Sequence, residues 1–373
     1  MAPLFFYGGN MSKNLMNVSN NNNRSGNYPL FLGDDLGFSD TINVTYPEIE
    51  EMYLSQRAQY WTESEVTLSQ DRLDLAEAPD SEKDVMVLNL LTQWLLDATA
   101  SRGILETFSP FISNTELHEW LSIQSMFEVI HARTYSHIIR NCFVDSNAVL
   151  EKGKNDVMVQ YRTGIIGKVF NDTYEIGVRW SQGDITDEKI VRKQILKNMA
   201  VLYGLEAISF MASFACTFAL AETGRYQGIG KLVSLICADE LLHAEGDRKV
   251  FDAMFNKEGY RKEYVEIKDE IGAIFTSIVE QELKWSEYVF SEGRKVLGLN
   301  EALLKDYVYH IAKPVFDYLG LDWEYPVVSQ NPLPFVDKYI DRNLVQGANQ
   351  EIQNISYLIG NVDSDGVDEE FDF

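Results

Sequence analysis

The chain has 373 residues and a formal net charge of −25, and 45% of its residues are hydrophobic and 24% are charged. This composition is that of a soluble globular protein, long enough to bury one large core or two ordinary ones. The acidic balance argues against a nucleic-acid partner or an anionic membrane surface, because phosphate binding needs clustered Lys and Arg.

The cysteines and the N-terminus bear on location. Cys142, Cys216 and Cys237 are too few and too scattered for a disulfide framework, and they indicate free thiols in a reducing compartment. The first residues, MAPLFFYGGN, lack the basic segment and the long apolar stretch of a signal peptide. We therefore expect a cytoplasmic protein, located in the host cytoplasm if a virus encodes it.

Local sequence character divides the chain into three parts. Residues 1–45 include an Asn-rich stretch that cannot bury a core, and we expect a flexible extension there. In residues 46–341 apolar residues recur mostly at helical spacing, which predicts an all-α domain. Residues 342–373 are polar and acidic, as in a flexible tail. A weak strand pattern covers Tyr174–Trp180. The predicted helices are Glu48–Trp61, Ser81–Thr107, Thr115–Val144, Ala148–Val169, Asp187–Glu222, Gly228–Phe255, Tyr260–Phe290 and Asn300–Leu319.

One apolar segment raises the question of a membrane span. Leu205–Ala221 is a nearly unbroken apolar run of 17 residues, slightly short of a comfortable span. Glu206 lies at its head, and no basic anchors flank it. A helix that is apolar all round is also what the centre of a large bundle requires. We therefore predict a buried core helix and no membrane partner.

Two Glu-x-x-His pairs lie in apolar helical stretches. They are Glu128–His131 in FEVIHARTYSHII and Glu240–His243 in LICADELLHAEG. Residues three apart share a helix face, so each pair presents a carboxylate and an imidazole to one point. An uncompensated buried charge is costly, and a metal ion is the natural compensation.

Two more carboxylates in apolar surroundings, Asp97 and Glu206, complete a set of six candidate ligands. Mixed carboxylate and imidazole ligation suits iron or manganese, and the lack of candidate thiolates argues against a structural zinc site. Two acid-bearing helices and two Glu-x-x-His helices are typical of di-iron and di-manganese carboxylate bundles. The sequence thus predicts a ferritin-like helical bundle with a di-metal carboxylate site. Each residue taken alone is also compatible with a hydrogen-bonded buried polar group.

Tyr135 is a candidate redox residue. It follows His131 by four residues and Glu128 by seven, so it lies on the same helix face, one turn beyond the predicted metal. A buried tyrosine at this distance from a redox-active metal pair is well placed to lose an electron and a proton. Ordinary packing is the alternative interpretation.

Three segments carry a family resemblance: HARTYSHIIRN, LEAISFMASFACTFALAE and ADELLHAEG. They resemble the central helices of class I ribonucleotide reductase small subunits, and the similarity runs from about residue 30 to the C-terminus. The resemblance implies a stable radical on Tyr135. It implies one metal ion held by Asp97, Glu128 and His131, and a second held by Glu206, Glu240 and His243. It also implies two iron ions as the cofactor, with manganese or a mixed manganese/iron pair as the alternative.

The resemblance further implies a route for proton-coupled electron transfer. His131 would donate a hydrogen bond from its second ring nitrogen to Asp239, and Asp239 would form a hydrogen bond with Trp61. Tyr357 in the tail would relay the hole to a large catalytic subunit, assisted by Glu351.

The implied partners are a large subunit and a second copy of the chain. The tail, residues 342–373, resembles the peptide that docks onto the large subunit, and a homodimer is expected. The implied activity is that of a ribonucleoside-diphosphate reductase, in which this subunit supplies the radical used for deoxyribonucleotide synthesis.

Two alternative functions share the six candidate ligands. A di-metal, ligand-binding oxidase on the same scaffold needs no tail tyrosine. A ferritin-like iron store needs a cage-forming surface and a shorter chain. Tyr135 together with Tyr357 in an acidic tail favours the reductase.

Overall fold

The architecture is helical throughout the part of the chain that the computed structural model describes, residues 15–26 and 28–340, and no β-strand occurs there. The all-α prediction is therefore confirmed. The helices are α1 (Asn22–Ser25), α2 (Pro47–Ala58), α3 (Ser69–Glu77), α4 (Asp80–Phe108), α5 (Thr115–Cys142), α6 (Ser146–Asn155), α7 (Val157–Arg162), α8 (Gly164–Ser181), α9 (Glu188–Gly204), α10 (Met211–Ala221), α11 (Gln227–Asn256), α12 (Arg261–Val289), α13 (Glu301–Leu319) and α14 (Asp337–Ile340), with a π-helical turn at Leu205–Ser209 and 3₁₀ turns at Glu63–Glu65 and Pro334–Val336.

The centre of the bundle consists of α4, α5, α11 and the run from α9 to α10. Helices α2 and α3 cover α5 and α11 from one side, whereas α8 packs on α4 and α9. Helices α12 and α13 cover the π-turn between α9 and α10. The side chains that face this centre are therefore shielded from water by a second ring of helices.

Polar side chains define where two central helices begin. The Asn114 side chain accepts a hydrogen bond of 2.8 Å from the backbone N–H of Leu117 and so caps α5. The Asp71 carboxylate of α3 accepts a bond of 2.8 Å from the backbone N–H of Ile229 at the start of α11. This second cap joins two elements that are distant in sequence, and it fixes α3 against the bundle.

The apolar helix is buried. Within the described ranges one helix, Glu188–Ala221, is long and apolar enough to cross a membrane by length and composition. However, 94% of its most apolar window is buried inside the bundle. This burial is what the sequence predicted for a core helix.

Two local predictions were wrong. The predicted helix Ala148–Val169 is three helices, because Asp156 ends α6 and its side chain caps α7 by accepting from the backbone N–H groups of Met158 and Val159. The weak strand at Tyr174–Trp180 lies within α8. The buried positions of α8 recur at helical spacing and face α4 and α9, so tertiary packing decides the conformation. These positions are Ile166, Val169, Phe170, Thr173 and Gly177.

The chain packs against the bundle before residue 46, where the sequence placed the start of the helical domain. Leu30 and Tyr28 are buried, and the backbone N–H of Thr115 donates to the Tyr28 hydroxyl at 3.1 Å. The backbone N–H of Leu32 donates to the Phe111 carbonyl at 2.8 Å. The segment from residue 28 onward therefore contacts the turn between α4 and α5. Residues 1–14, 27 and 341–373 lie outside the described part, so the extension remains an expectation for residues 1–14 and the tail for residues 342–373.

Close helix packing at Gly246 generates a stability prediction. A Cβ atom added to Gly246 would lie 2.2 Å from Cζ2 of Trp120, which is fully buried and cannot move aside. We expect Gly246→Ala to lower the free energy of unfolding by about 1–3 kcal/mol through overpacking. Gly272→Ala is the matched control, because its Cβ would meet only Leu321 at 3.9 Å in another long helix. It should be neutral or stabilising by about 0.4–1 kcal/mol. Urea denaturation of both variants measures the difference, and equal effects would contradict the packing argument.

Candidate di-metal site

The structure brings all six candidate ligands to the centre of the bundle. Each side chain is completely buried, and the six come from four separate elements. Because the Glu-x-x-His spacing places both residues of a pair on one face, α5 and α11 each present two groups to the same space. The contributors are Asp97 from α4, Glu128 and His131 from α5, Glu206 from the π-turn, and Glu240 and His243 from α11.

The six residues form two overlapping clusters. Candidate ligand atoms within each cluster lie no more than 4.8 Å apart. Nδ1 of His131 is 3.1 Å from a carboxylate oxygen of Glu240, and Nδ1 of His243 is 3.0 Å from one of Glu128. Glu128 and Glu240 belong to both clusters, and each therefore lies between the remaining ligands of one cluster and those of the other. One cluster is Asp97, Glu128, His131 and Glu240, and the other is Glu128, Glu206, Glu240 and His243.

The unsatisfied polar atoms of the site fit a pair of cations. Both carboxylate oxygens of Asp97 and of Glu128 make no hydrogen bond, although they are fully buried. One oxygen of Glu206 and Nε2 of His243 also make none. Such groups are strongly destabilising unless a cation compensates them. Four carboxylates and two imidazoles at these separations match the donor set of a di-metal carboxylate site.

Electrostatics at the site show why the protein alone does not satisfy these groups. Burial, followed by the charge of the neighbouring carboxylates, raises the pKa of Asp97 and of Glu206 well above the usual carboxyl range. Burial lowers the pKa values of His131 and His243, but the carboxylates around both imidazoles outweigh burial and raise them. Burial raises the pKa of Glu240, and the two imidazoles outweigh it and hold that pKa below its usual range. A bound cation pair would allow all four carboxylates to ionise together.

Asp239 connects the site to the outer helices. Its Oδ2 atom accepts a hydrogen bond of 2.7 Å from the Trp61 indole N–H and lies 3.1 Å from Nε2 of His131. The Trp61 and His131 rings are nearly parallel, with centroids 6.0 Å apart. The Gln56 side-chain amide donates to Oδ1 of Asp239 at 2.9 Å, a contact that the sequence reasoning missed. No spacing rule links Gln56 to Asp239, because α2 and α11 meet only in the tertiary structure.

Tyr135 lies close to the carboxylates of Asp97, Glu128 and Glu240. Its side chain is fully buried, and its hydroxyl makes no hydrogen bond. Burial, and next the negative charge of Asp97, raise the phenol pKa well above its usual value. The phenol therefore keeps its proton and is shielded from solvent beside the candidate ligand carboxylates.

Sequence reasoning also missed three polar or aromatic side chains around the site. The Gln124 amide donates to a carboxylate oxygen of Glu206 at 3.0 Å, and the Trp120 ring lies edge-on to His243, with centroids 6.1 Å apart. Asp247 is fully buried, and burial raises the pKa of its carboxyl well above the usual range. Their spacing could have identified them, because it puts them on the same helix faces as the candidate ligands. Gln124 and Trp120 precede Glu128 by four and eight residues, and Asp247 follows His243 by four.

The chain is similar to known reductase subunits along most of its length. Residues 40–332 match the family described as "Ribonucleotide reductase, small chain". The ribonucleoside-diphosphate reductase subunit beta of Buchnera aphidicola subsp. Schizaphis graminum is 31% identical over 357 residues, which cover 92% of this chain and 94% of that protein.

Solved structures support the ferritin-like fold. The ribonucleotide reductase R2 subunit from Clostridium botulinum superposes with a TM-score of 0.72 at 21% identity, covering 81% of this chain and 91% of the other. A dimanganese(II) protein from Streptococcus sanguinis superposes with a TM-score of 0.64 at 17% identity, covering 82% of this chain and all of the other.

The buried donor set generates a prediction about metal removal. Stripping the purified protein with a chelator should lower its melting temperature, because the six donors lose their compensation. Readdition of Mn²⁺ at about 100 times its Kd should restore about 2.7 kcal/mol per site. Thermal unfolding and metal analysis measure both effects. Glu240→Ala and His243→Ala should each bind at least one ion fewer. A melting temperature that is indifferent to metal, or full metal content in both variants, would contradict the assignment.

Proposed function

This chain belongs to the ribonucleotide reductase small-chain family, and we propose on that premise that its bundle generates and stores a radical on Tyr135. It is the small subunit of a ribonucleoside-diphosphate reductase, an oxidoreductase of deoxyribonucleotide synthesis. The observation that carries the radical proposal is a buried, unpartnered phenol beside two overlapping clusters of metal-binding side chains. The chain holds the radical, and the large subunit holds the nucleotide.

Six residues are proposed to hold two metal ions. When bound, the pair supplies the one-electron oxidising power that the phenol requires. We propose two iron ions, with manganese or a mixed manganese/iron pair as the alternative, because both metals accept carboxylate and imidazole donors. Glu128 and Glu240 would be available to either ion, since each belongs to both clusters. Asp97 and His131 would complete one donor set, and Glu206 and His243 the other.

The bundle itself performs three tasks at Tyr135. It excludes water, since the side chain is completely buried, and this protects a stored radical from reduction by solvent species. It leaves the hydroxyl without a hydrogen bond of ordinary geometry, so the phenol O–H is not tied to a fixed partner. It also places the Asp97 carboxylate beside the phenol as the group suited to accept its proton.

We propose that the electron and the proton move out of the site through His131, Asp239 and Trp61. The contacts of 3.1 Å and 2.7 Å that join these side chains are short enough to couple electron and proton movement. Gln56 holds the second Asp239 oxygen and so restrains the carboxylate toward both partners. Tyr357 and Glu351, which lie outside the described residues, are proposed to continue the route toward the large subunit.

Small subunits of this family work with a large subunit and are typically dimeric. We propose that residues 342–373 dock onto the large subunit, because Phe371 and Phe373 are apolar anchors in an acidic tail. The oxidase and iron-storage alternatives explain the ligands but assign no role to Tyr357, and family membership favours the reductase.

The radical assignment predicts a specific spectroscopic loss. Aerobic reconstitution of the wild-type protein with iron should give a tyrosyl signal by electron paramagnetic resonance. Tyr135→Phe should abolish that signal without changing metal content, because phenylalanine has no phenolic proton to release. Tyr260→Phe is the matched control, since Tyr260 is also fully buried with a hydroxyl that makes no hydrogen bond. A tyrosyl signal that survives in Tyr135→Phe would place the radical elsewhere.

The tail proposal predicts two separable defects. Deleting residues 361–373 should abolish association with the large subunit while the Tyr135 radical still forms. Tyr357→Phe should preserve both association and the stored radical but eliminate nucleotide reduction, because the relay needs a phenol. Pull-down, spectroscopy and turnover assays distinguish binding from transfer. Wild-type turnover by Tyr357→Phe would refute the relay and reopen the oxidase alternative.

A further inference from the structure

A buried ion pair lies behind the metal-binding centre. Arg162, the last residue of α7, and Glu282 of α12 are each only 1% exposed. Nε of Arg162 donates to one Glu282 carboxylate oxygen at 2.8 Å, and Nη2 donates to the other at 2.5 Å. The guanidinium also lies over the Trp285 ring, 4.6 Å from its centroid. None of these groups belongs to the proposed ligand set or to the proposed transfer route.

The same guanidinium reaches the π-turn. Nη2 of Arg162 donates to the backbone carbonyl of Ser209, the last residue of that turn. Glu206 lies three residues earlier in the same turn. Beyond Ser209 the backbone returns to α-helical bonding, with Phe214 N–H donating to the Phe210 carbonyl at 3.0 Å. Arg162 thus binds the backbone at the junction where the helical register changes.

Helix α12 holds this junction closely from the outside. A Cβ atom on Gly204, the residue before the π-turn, would lie 2.5 Å from Cδ1 of Ile278. One turn along α12, the Gln281 amide donates to the Tyr161 carbonyl at 2.9 Å and fixes the residue next to Arg162. One face of α12 therefore restrains both the start of the π-turn and the side chain that binds its end.

Burial of this pair is costly. Burial raises the pKa of the Glu282 carboxyl to about 7, against the opposing effect of Arg162. A buried ion pair of this kind contributes little net stability compared with well-packed apolar side chains, and it is better suited to specifying one arrangement. In a regular α-helix the hydrogen-bond ladder sets each side-chain direction. In a π-turn that ladder is interrupted, so a contact from outside the helix can help to set the side-chain directions.

We propose that Arg162 and Glu282 are positioning residues that hold the π-turn in register and thereby place the Glu206 carboxylate in its metal cluster. This inference rests on the proposed di-metal function. The pair acts on the turn through the hydrogen bond from Arg162 to the Ser209 carbonyl.

The test uses the full chain and Mn²⁺ as the probe. The double variant Arg162→Met/Glu282→Leu removes the anchor without leaving an unpaired buried charge, so the bundle should fold, as far-UV circular dichroism will show. Calorimetric titration should show one of the two Mn²⁺ affinities reduced by about 10- to 100-fold. Paramagnetic resonance at limiting Mn²⁺ should show uncoupled single ions in place of the coupled pair. Hydrogen exchange at residues 205–213 should become faster.

Arg294→Met is the matched control. Arg294 is also a buried arginine that donates to backbone carbonyls, those of Val289 and Tyr288, but it lies beyond the C-terminal end of α12 and binds no part of the π-turn in the described hydrogen bonds. It should leave both Mn²⁺ affinities unchanged. Arg162→Lys keeps the charge beside Glu282 but loses the fork that spans the carboxylate and the Ser209 carbonyl. It should weaken Mn²⁺ binding in the same direction, and it decides the matter if the double variant does not fold.

The outcomes are distinct. Two coupled ions with wild-type affinities in either Arg162 variant would overturn the positioning role, and so would an equal loss in Arg294→Met. A wild-type protein that binds fewer than two Mn²⁺ ions would instead refute the di-metal function, whatever the variants do.

Discussion

The structure depends on the compensation of buried charge at one point. Four carboxylates and two imidazoles converge in a completely buried space, and several of their atoms have no hydrogen-bond partner in the protein. Cations between the donors would compensate such an arrangement. The second ring of helices follows from the same constraint, because a dry centre must be covered on every side. The metal-binding function and the fold are therefore two consequences of one electrostatic requirement.

Regular helices carry most of the site. On α5 a single face presents, turn after turn, Trp120, Gln124, Glu128, His131 and Tyr135, which include two candidate ligands and the proposed radical position. On α11 the corresponding face runs from Glu240 through His243 to Asp247. Since helix geometry fixes the distance between successive turns, these groups need little further adjustment. Precision at the centre thus comes largely from backbone hydrogen bonding.

The remaining parts of the site depend on contacts between distant elements. Glu206 lies in a π-turn whose end is bound by Arg162, and Asp239 is held between α2 and α5 by three side chains. In both arrangements, buried polar groups restrain the orientation of a carboxylate, that of Glu206 in one and that of Asp239 in the other. One of them lies beside the proposed metal pair, and the other lies on the proposed transfer route.

The sequence alone determined the helical class, the burial of the apolar run and the six candidate ligands, because helical periodicity and Glu-x-x-His spacing act within one helix. Local spacing also contained Gln124 and Asp247, although they were not recognised. The tertiary structure decided what spacing cannot express. It made α8 a helix where the sequence suggested a weak strand, since packing against α4 and α9 outweighs local propensity. It also brought Gln56 to Asp239 and Arg162 to Ser209, contacts between residues 183 and 47 positions apart. Such pairs leave no periodic signal in the sequence, because only the folded chain makes them neighbours.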